Sequence, residues 1–185
     1  MGQKFAAYNA QGAIIGFYDS FDSPLPSGVE AVEITDDEWQ TCIASQPPYM
    51  VASGALVAPG AAQLLASAQI AQCALINAAY EAAIQTAVSF KSADGVTETF
   101  QADPASRMLV MQAVQGYTLA GATPAGFYWV AADNTHVPFT LADLQGLYLT
   151  ILAQGWAAFQ TRQTLKAGIN AATATIASVQ ATNWP

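Results

Sequence analysis

The sequence predicts an α+β protein. A small β-rich N-terminal unit spans residues 1–58, and an Ala-rich helix and a C-terminal domain of two β-hairpins packed with long helices span residues 59–185. Three observations carry that expectation. Short strand-like runs separated by Gly, Pro and Ser fill the first part of the chain. Composition changes at Pro59-Gly60, beyond which Ala-rich, helix-favouring sequence takes over. Two later stretches fold about Asp94-Gly95 and Asp133-Asn134, and a helix-like segment follows each.

Taken in order, "KFAAYN" and "AIIGFYD" read as two strands joined through Ala10-Gln11-Gly12. The Pro- and Ser-rich loop "DSFDSPLPSG" follows. In "VEAVEITDDEWQTCIAS", Thr35 with Glu38 three residues on has the form of a capping box. Asp36, Asp37 and Glu38 then lie in the positive first turn of a helix. "YMVASGALV" reads as a second hairpin with Ser53-Gly54 at its tip.

After Pro59-Gly60, "AAQLLASAQIAQCALINAAYEAAIQ" is strongly helical, and Cys73, Ile76, Tyr80, Ala83 and Ala87 form a seam along one face. That seam packs either within the molecule or against a partner or further copies of the chain. In "VSFKSADGVTETFQAD" a two-residue type I′ turn at Asp94-Gly95 would set Lys91 opposite Glu98. A helix starts near Asp103-Pro104 and turns Met108, Met111, Val114 and Tyr117 toward the core. A long helix from about Leu141 carries Leu144, Tyr148, Ile151, Leu152, Trp156 and Phe159 at helical spacing, and a short helix near "ATIASVQATNW" closes the chain.

Hydrophobic residues make up 53% of the chain and charged residues only 10%, against the roughly 25% charged content usual in soluble domains. A surface this poor in charge suggests that another chain covers part of it. Five Lys and Arg against thirteen Asp and Glu give a net charge of −8. With no basic patch to neutralise phosphates, nucleic-acid and acidic-membrane partners are disfavoured. No charged residue occurs over the 42 positions from Trp39 to Tyr80, yet Pro59-Gly60 and several Gln and Ser interrupt the run, so no membrane-spanning helix is expected. Met1-Gly2-Gln3-Lys4 lacks the apolar region of a signal peptide. Cys42 and Cys73 match no CxxC pattern; two reduced thiols are expected, with one disulfide as the alternative.

The only histidine, His136, lies in "FYWVAADNTHVPFTLADLQ". A two-residue loop at Asp133-Asn134 would place Tyr128, Val130, Val137 and Phe139 on one apolar face and His136 with Trp129 and Pro138 on the other. Pro138 marks an edge strand, and Thr140, with Asp143 three residues on, caps the long helix. A catalytic histidine needs a nucleophile, an orienting acid or a second base within reach, and no GxSxG or HExxH motif supplies one. No EF-hand pattern organises Glu33, Asp36, Asp37 and Glu38. The expectation is a non-enzymatic protein with no catalytic residues, no cofactor and no metal. Trp129, Asn134, His136 and Trp39 are the candidate partner-binding residues.

Two stretches carry a resemblance. "PSGVEAVEITDDEWQTCIASQ", followed by "YMVASGALV", resembles the N-terminal region of phage tail-fibre assembly proteins; Glu33, Ile34, Thr35, Glu38 and Trp39 match, as do Val51, Gly54 and Val57. Residues 80–184, most specifically 124–147, look like a domain of unknown function encoded beside phage tail-fibre genes and in prophages. The resemblance implies a tail-fibre assembly chaperone that binds the distal end of a trimeric fibre in the cytoplasm of the infected host. Its alternative is a structural virion component at the fibre tip or adaptor that touches the receptor. Homo-oligomerisation stays open.

Overall fold

A computed structural model describes residues 2–45 and 48–185. Gln46, at the end of the first resembling stretch, lies outside them. The fold is α+β, with small antiparallel sheets and five helices among the described residues. By contacts the chain forms two compact units, Met1–Ala71 with Thr175–Ala177, and Gln72–Ala174 with Ser178–Pro185.

The first unit is built on β1 (Lys4–Tyr8), β2 (Ile14–Asp19) and β3 (Ala31–Ile34), in the order β2-β1-β3. Ala6 and Ala7 of the central strand are wholly buried, which suits small residues where neighbours close in on both sides. The sequence reading assigns no strand just before the Thr35 box; the structure places β3 there. The helix that follows, α1 (Asp36–Ala44), starts with the predicted box: Thr35 Oγ1 accepts from Glu38 N, and a Glu38 carboxylate oxygen accepts from Thr35 N. β4 (Met50–Ala52) and β5 (Ala55–Val57) meet across Ser53-Gly54, both at positive φ as a type I′ turn requires. The hairpin is tied to the β1–β2 turn where Val51 N donates to Gly12 O at 2.7 Å. Gly12 has φ +79°, and a Cβ there would lie 2.2 Å from Val51 O, so only glycine fits.

α2 (Ala61–Ala83) contains the boundary between the two units. The second unit continues with β6 (Val88–Lys91), β7 (Thr97–Phe100), α3 (Pro104–Ala120), β8 (Tyr128–Val130), β9 (His136–Pro138), α4 (Leu141–Ile169) and α5 (Ile176–Gln180), whose first two residues fall in the first unit. Its core joins Val88, Phe100, Val110, Val137, Phe139, Leu144, Leu147 and Ile151. Phe90, Phe100 and Phe139 touch edge-on or tilted, with centroids 5.3–6.4 Å apart. β6 lies so close to α4 that a Cβ on Gly146 would sit 2.8 Å from the Phe90 ring.

Within this unit the later half of α2 runs antiparallel to the end of α4. Asn170 Nδ2 reaches Cys73 Sγ, Lys166 Nζ reaches Asn77 Oδ1, and the Arg162 guanidinium lies 4.1 Å from the Tyr80 ring centre. Gln154 Nε2 donates to Ala83 O and Thr86 O, closing the C-terminal end of α2. Of the two readings of the Ala-rich seam, the intramolecular one therefore describes Cys73, Tyr80 and Ala83, while Ala87 lies beyond the helix.

One helix face differs from the prediction, and a second sorts residues that the spacing alone left together. On α3 the inward line is Val110, Ala113, Val114 and Tyr117, and Met108 and Met111 are exposed. On α4 the inward line is Leu144, Leu147, Ile151 and Ala158, and Leu152 and Trp156 face outward. Both helices are apolar nearly all round, so spacing alone leaves several faces equally qualified.

Candidate functional site

The hairpin carrying His136 is governed by its loop. Asp133 Oδ1 accepts from Thr135 N at 2.9 Å, and the Thr135 hydroxyl donates to Oδ2 at 3.0 Å. These bonds, backbone first, hold the Asp133 carboxyl below the usual carboxylate range. Only Asn134 adopts positive φ, at 71°. A type I′ turn needs two such residues, so a three-residue loop forms instead, closed by Ala131 N donating to Thr135 O at 2.9 Å.

The pairing is therefore Tyr128 with Pro138, Trp129 with Val137 and Val130 with His136. This is one residue away from the predicted register and corrects the predicted faces, because a one-residue slip turns a strand over. Phe127, Trp129 and Ala131 point inward with Val137 and Phe139; Tyr128 and Val130 point outward with His136 and Pro138. Trp129 and His136 do not share a face. His136 instead stacks on Tyr128, with centroids 4.1 Å apart and planes 15° from parallel.

The other hairpin behaves identically. "Ala93-Asp94-Gly95" repeats "Ala132-Asp133-Asn134", and again only the third residue has positive φ. Lys91 accordingly faces Thr97 and Glu98 faces Phe90, and the predicted Lys91–Glu98 pair does not form. Ala132 N, at the second loop, donates to Thr99 O of β7 at 2.8 Å, pinning the two hairpins edge to edge at one point.

Beyond that pin the edges part, and a cleft of about 330 Å³ opens, lined by Gln101, Ser106, Leu109 and residues Phe127 to Val130. None of these residues carries a charge. The Ser106 hydroxyl donates to Asp103 Oδ2 at 2.5 Å, and this bond, with the Ser106 and Ala105 amides, depresses the Asp103 carboxyl and caps α3. The cleft offers ring faces, an amide, a hydroxyl and strand backbone, a set suited to binding.

A family profile described as Domain of unknown function (DUF4376) matches residues 67–183. The chain belongs to that family. No curated protein and no solved structure matches it. The DUF4376 region takes in both hairpins, the cleft and the helices around them.

Of the candidate residues, Trp129, Asn134 and His136 come together on one DUF4376 hairpin. Trp39 belongs to the first unit, where it is half-buried with the Lys4 ammonium 4.7 Å from its ring centre. Lys4 is itself paired with Asp19 at 2.5 Å. Gln101, Ser106 and Leu109 were not among the sequence candidates. Their only signal is the loop type, which decides where β8 lies against α3.

Cys42 and Cys73 are both free thiols; burial, then the Glu38 charge, pushes Cys42 up. Among the described residues no group of three or more His, Cys, Asp or Glu side chains could hold a metal ion. No helix among them is long and apolar enough to cross a membrane.

Proposed function

We infer that this chain is a bacteriophage or prophage tail-fibre assembly chaperone or accessory protein, which binds the distal part of a trimeric tail fibre. It acts by docking, without catalysis, cofactor or metal, in the cytoplasm of the infected host. The sequence resemblance over residues 33–57 and 80–184 supports the reading. The structural observation that carries it is the outer surface of the DUF4376 helices. Leu119 on α3 is 91% exposed, and Leu149, Leu152 and Trp156 form an uncovered row on α4, spaced by three and four residues. Large apolar side chains grouped on a charge-poor surface mark a face that another protein covers.

Mixing the purified chain with purified fibre trimer and weighing the complex by native mass spectrometry tests the reading. A complex of defined stoichiometry is expected; separate species at micromolar concentrations contradict it. Mass spectrometry of purified particles then separates a chaperone, which is absent from them, from a structural tip or adaptor, which is retained.

A further inference from the structure

Strands β8 and β9 each have one edge outside their own ladder, and the two edges are not equivalent. Hydrogen-bonded pairs fall at Phe127/Phe139 and Ala131/Thr135, and therefore at Trp129/Val137 between them. The backbone groups of His136 and Pro138 accordingly point away from the ladder on the β9 side, and those of Tyr128, Val130 and Ala132 do so on the β8 side. The bond from Ala132 N to Thr99 O fixes that direction. On β9, Pro138 has no N–H to offer, so this edge cannot take a strand in full. On β8, Tyr128 and Val130 keep both N–H and C=O, without a partner among the described residues, and they line the cleft.

We propose that the β8 edge is a strand-acceptor site: an extended, uncharged segment of the fibre polypeptide adds to β8 inside the cleft. The backbone groups set the class of ligand. Donors and acceptors in one row, repeating at roughly 7 Å, are matched by another extended backbone. The side chains set its character. The cleft has no charged lining residue, and Leu109, 57% exposed on α3, lines it together with the rings of Phe127 and Trp129, an apolar lining that fits one apolar side chain of the incoming segment. Tyr128 and Val130 are 47% and 45% exposed, and pairing covers their outward backbone groups. The identity of the donor rests on the fibre reading above; the geometry of the acceptor does not.

Val130→Pro tests it. The substitution removes an outward N–H and no ladder bond, the same situation Pro138 already occupies in this hairpin. Leu109→Glu, on the opposite wall, is the second variant should the first unfold, and Val130→Thr is the control. The probes are fibre trimer and overlapping fibre peptides, with affinity and amide hydrogen exchange as readouts.

The proposal expects slowed exchange at Tyr128 and Val130 in the complex, affinity about ten-fold weaker or worse for Val130→Pro and for Leu109→Glu, and wild-type affinity for Val130→Thr. Fibre binding with unchanged exchange at those amides, or with full affinity in a folded Val130→Pro, overturns the cleft and leaves the fibre reading standing. No fibre binding by the wild type overturns both. A dimer without fibre that Val130→Pro converts to monomer shows that a second copy of this chain is the occupant, and overturns the proposal.

Discussion

Asp143 accepts the backbone N–H of Ala93 at 2.7 Å, joining the start of α4 to a hairpin tip fifty residues earlier. The other carboxylate oxygen accepts from Thr140 N and Thr140 Oγ1, completing a capping box. One buried side chain thus satisfies a helix terminus and a turn together. Asp143→Ala removes both, a cap and a charge-assisted bond to the Ala93 amide, so a loss of about 2–3 kcal/mol is expected. Thr140→Ala removes only the cap and should cost about 1 kcal/mol. Chemical denaturation of the two variants checks the ordering.

Asp143 and Asp19 set a pH dependence. Burial raises the Asp143 carboxyl, but hydrogen bonds from Thr140 and from the Ala93 amide outweigh it and leave the group below its ordinary value. The bond from Lys4, then the Phe21 amide, lowers Asp19 from 3.8 to about 2. A depressed carboxylate contributes stability that is fully present above its unfolded pKa and is lost as pH falls through the folded value. Stability should therefore hold from neutral pH to about 5 and fall between about 4 and 2. Urea midpoints against pH give the test, and Lys4→Met should flatten part of the fall.

Gly146 and Gly155 lie on the same helix and should respond to alanine with opposite signs. Replacing an interior helix glycine by alanine gains about 1 kcal/mol in propensity. At Gly155 nothing lies within 4 Å of the new methyl, so the gain should appear. At Gly146 the methyl lies 2.8 Å from the Phe90 ring, packed among Phe100 and Phe139, and overpacking costs about 1–3 kcal/mol. Gly146→Ala should be net destabilising, and adding Phe90→Leu should recover part of the loss. Melting temperatures of the three proteins decide it.

His136 is exposed, and among the described residues it stacks on Tyr128 alone. His136→Ala should change stability by no more than about 0.5 kcal/mol. Asn134 holds φ 71°, where a β-branched side chain is strained. Asn134→Val should cost about 1–2 kcal/mol and Asn134→Gly almost nothing. Equal stability for the two Asn134 variants would show that the three-residue loop is wrong.

The sequence made the local chemistry of the fold legible and left its registers hidden. Thr35-Glu38, Asp103-Pro104 and Thr140-Asp143 start helices where their side chains bond to the first turn, because caps depend on residues three apart. Ser53-Gly54 was equally readable, and it forms the two-residue turn. Asp94-Gly95 and Asp133-Asn134 look alike on paper, yet their Asp residues keep negative φ, the loops gain a residue, and the facing pairs slip. That slip separates Trp129 from His136 and turns Tyr128 and Val130 outward. The cleft was hidden for the same reason. Leu109 and Ser106 on α3 meet β8 only through tertiary packing, in a helix whose apolar residues fit several faces.

The proposed role is assistance in the assembly of a trimeric tail fibre. Co-expression of the fibre with and without the chain, with the fraction of fibre recovered as soluble trimer measured by size-exclusion chromatography and light scattering, tests it most directly. Trimer is expected with the chain present, and aggregated or unassembled fibre without it. The same yield of soluble trimer in both cultures would overturn the proposed role.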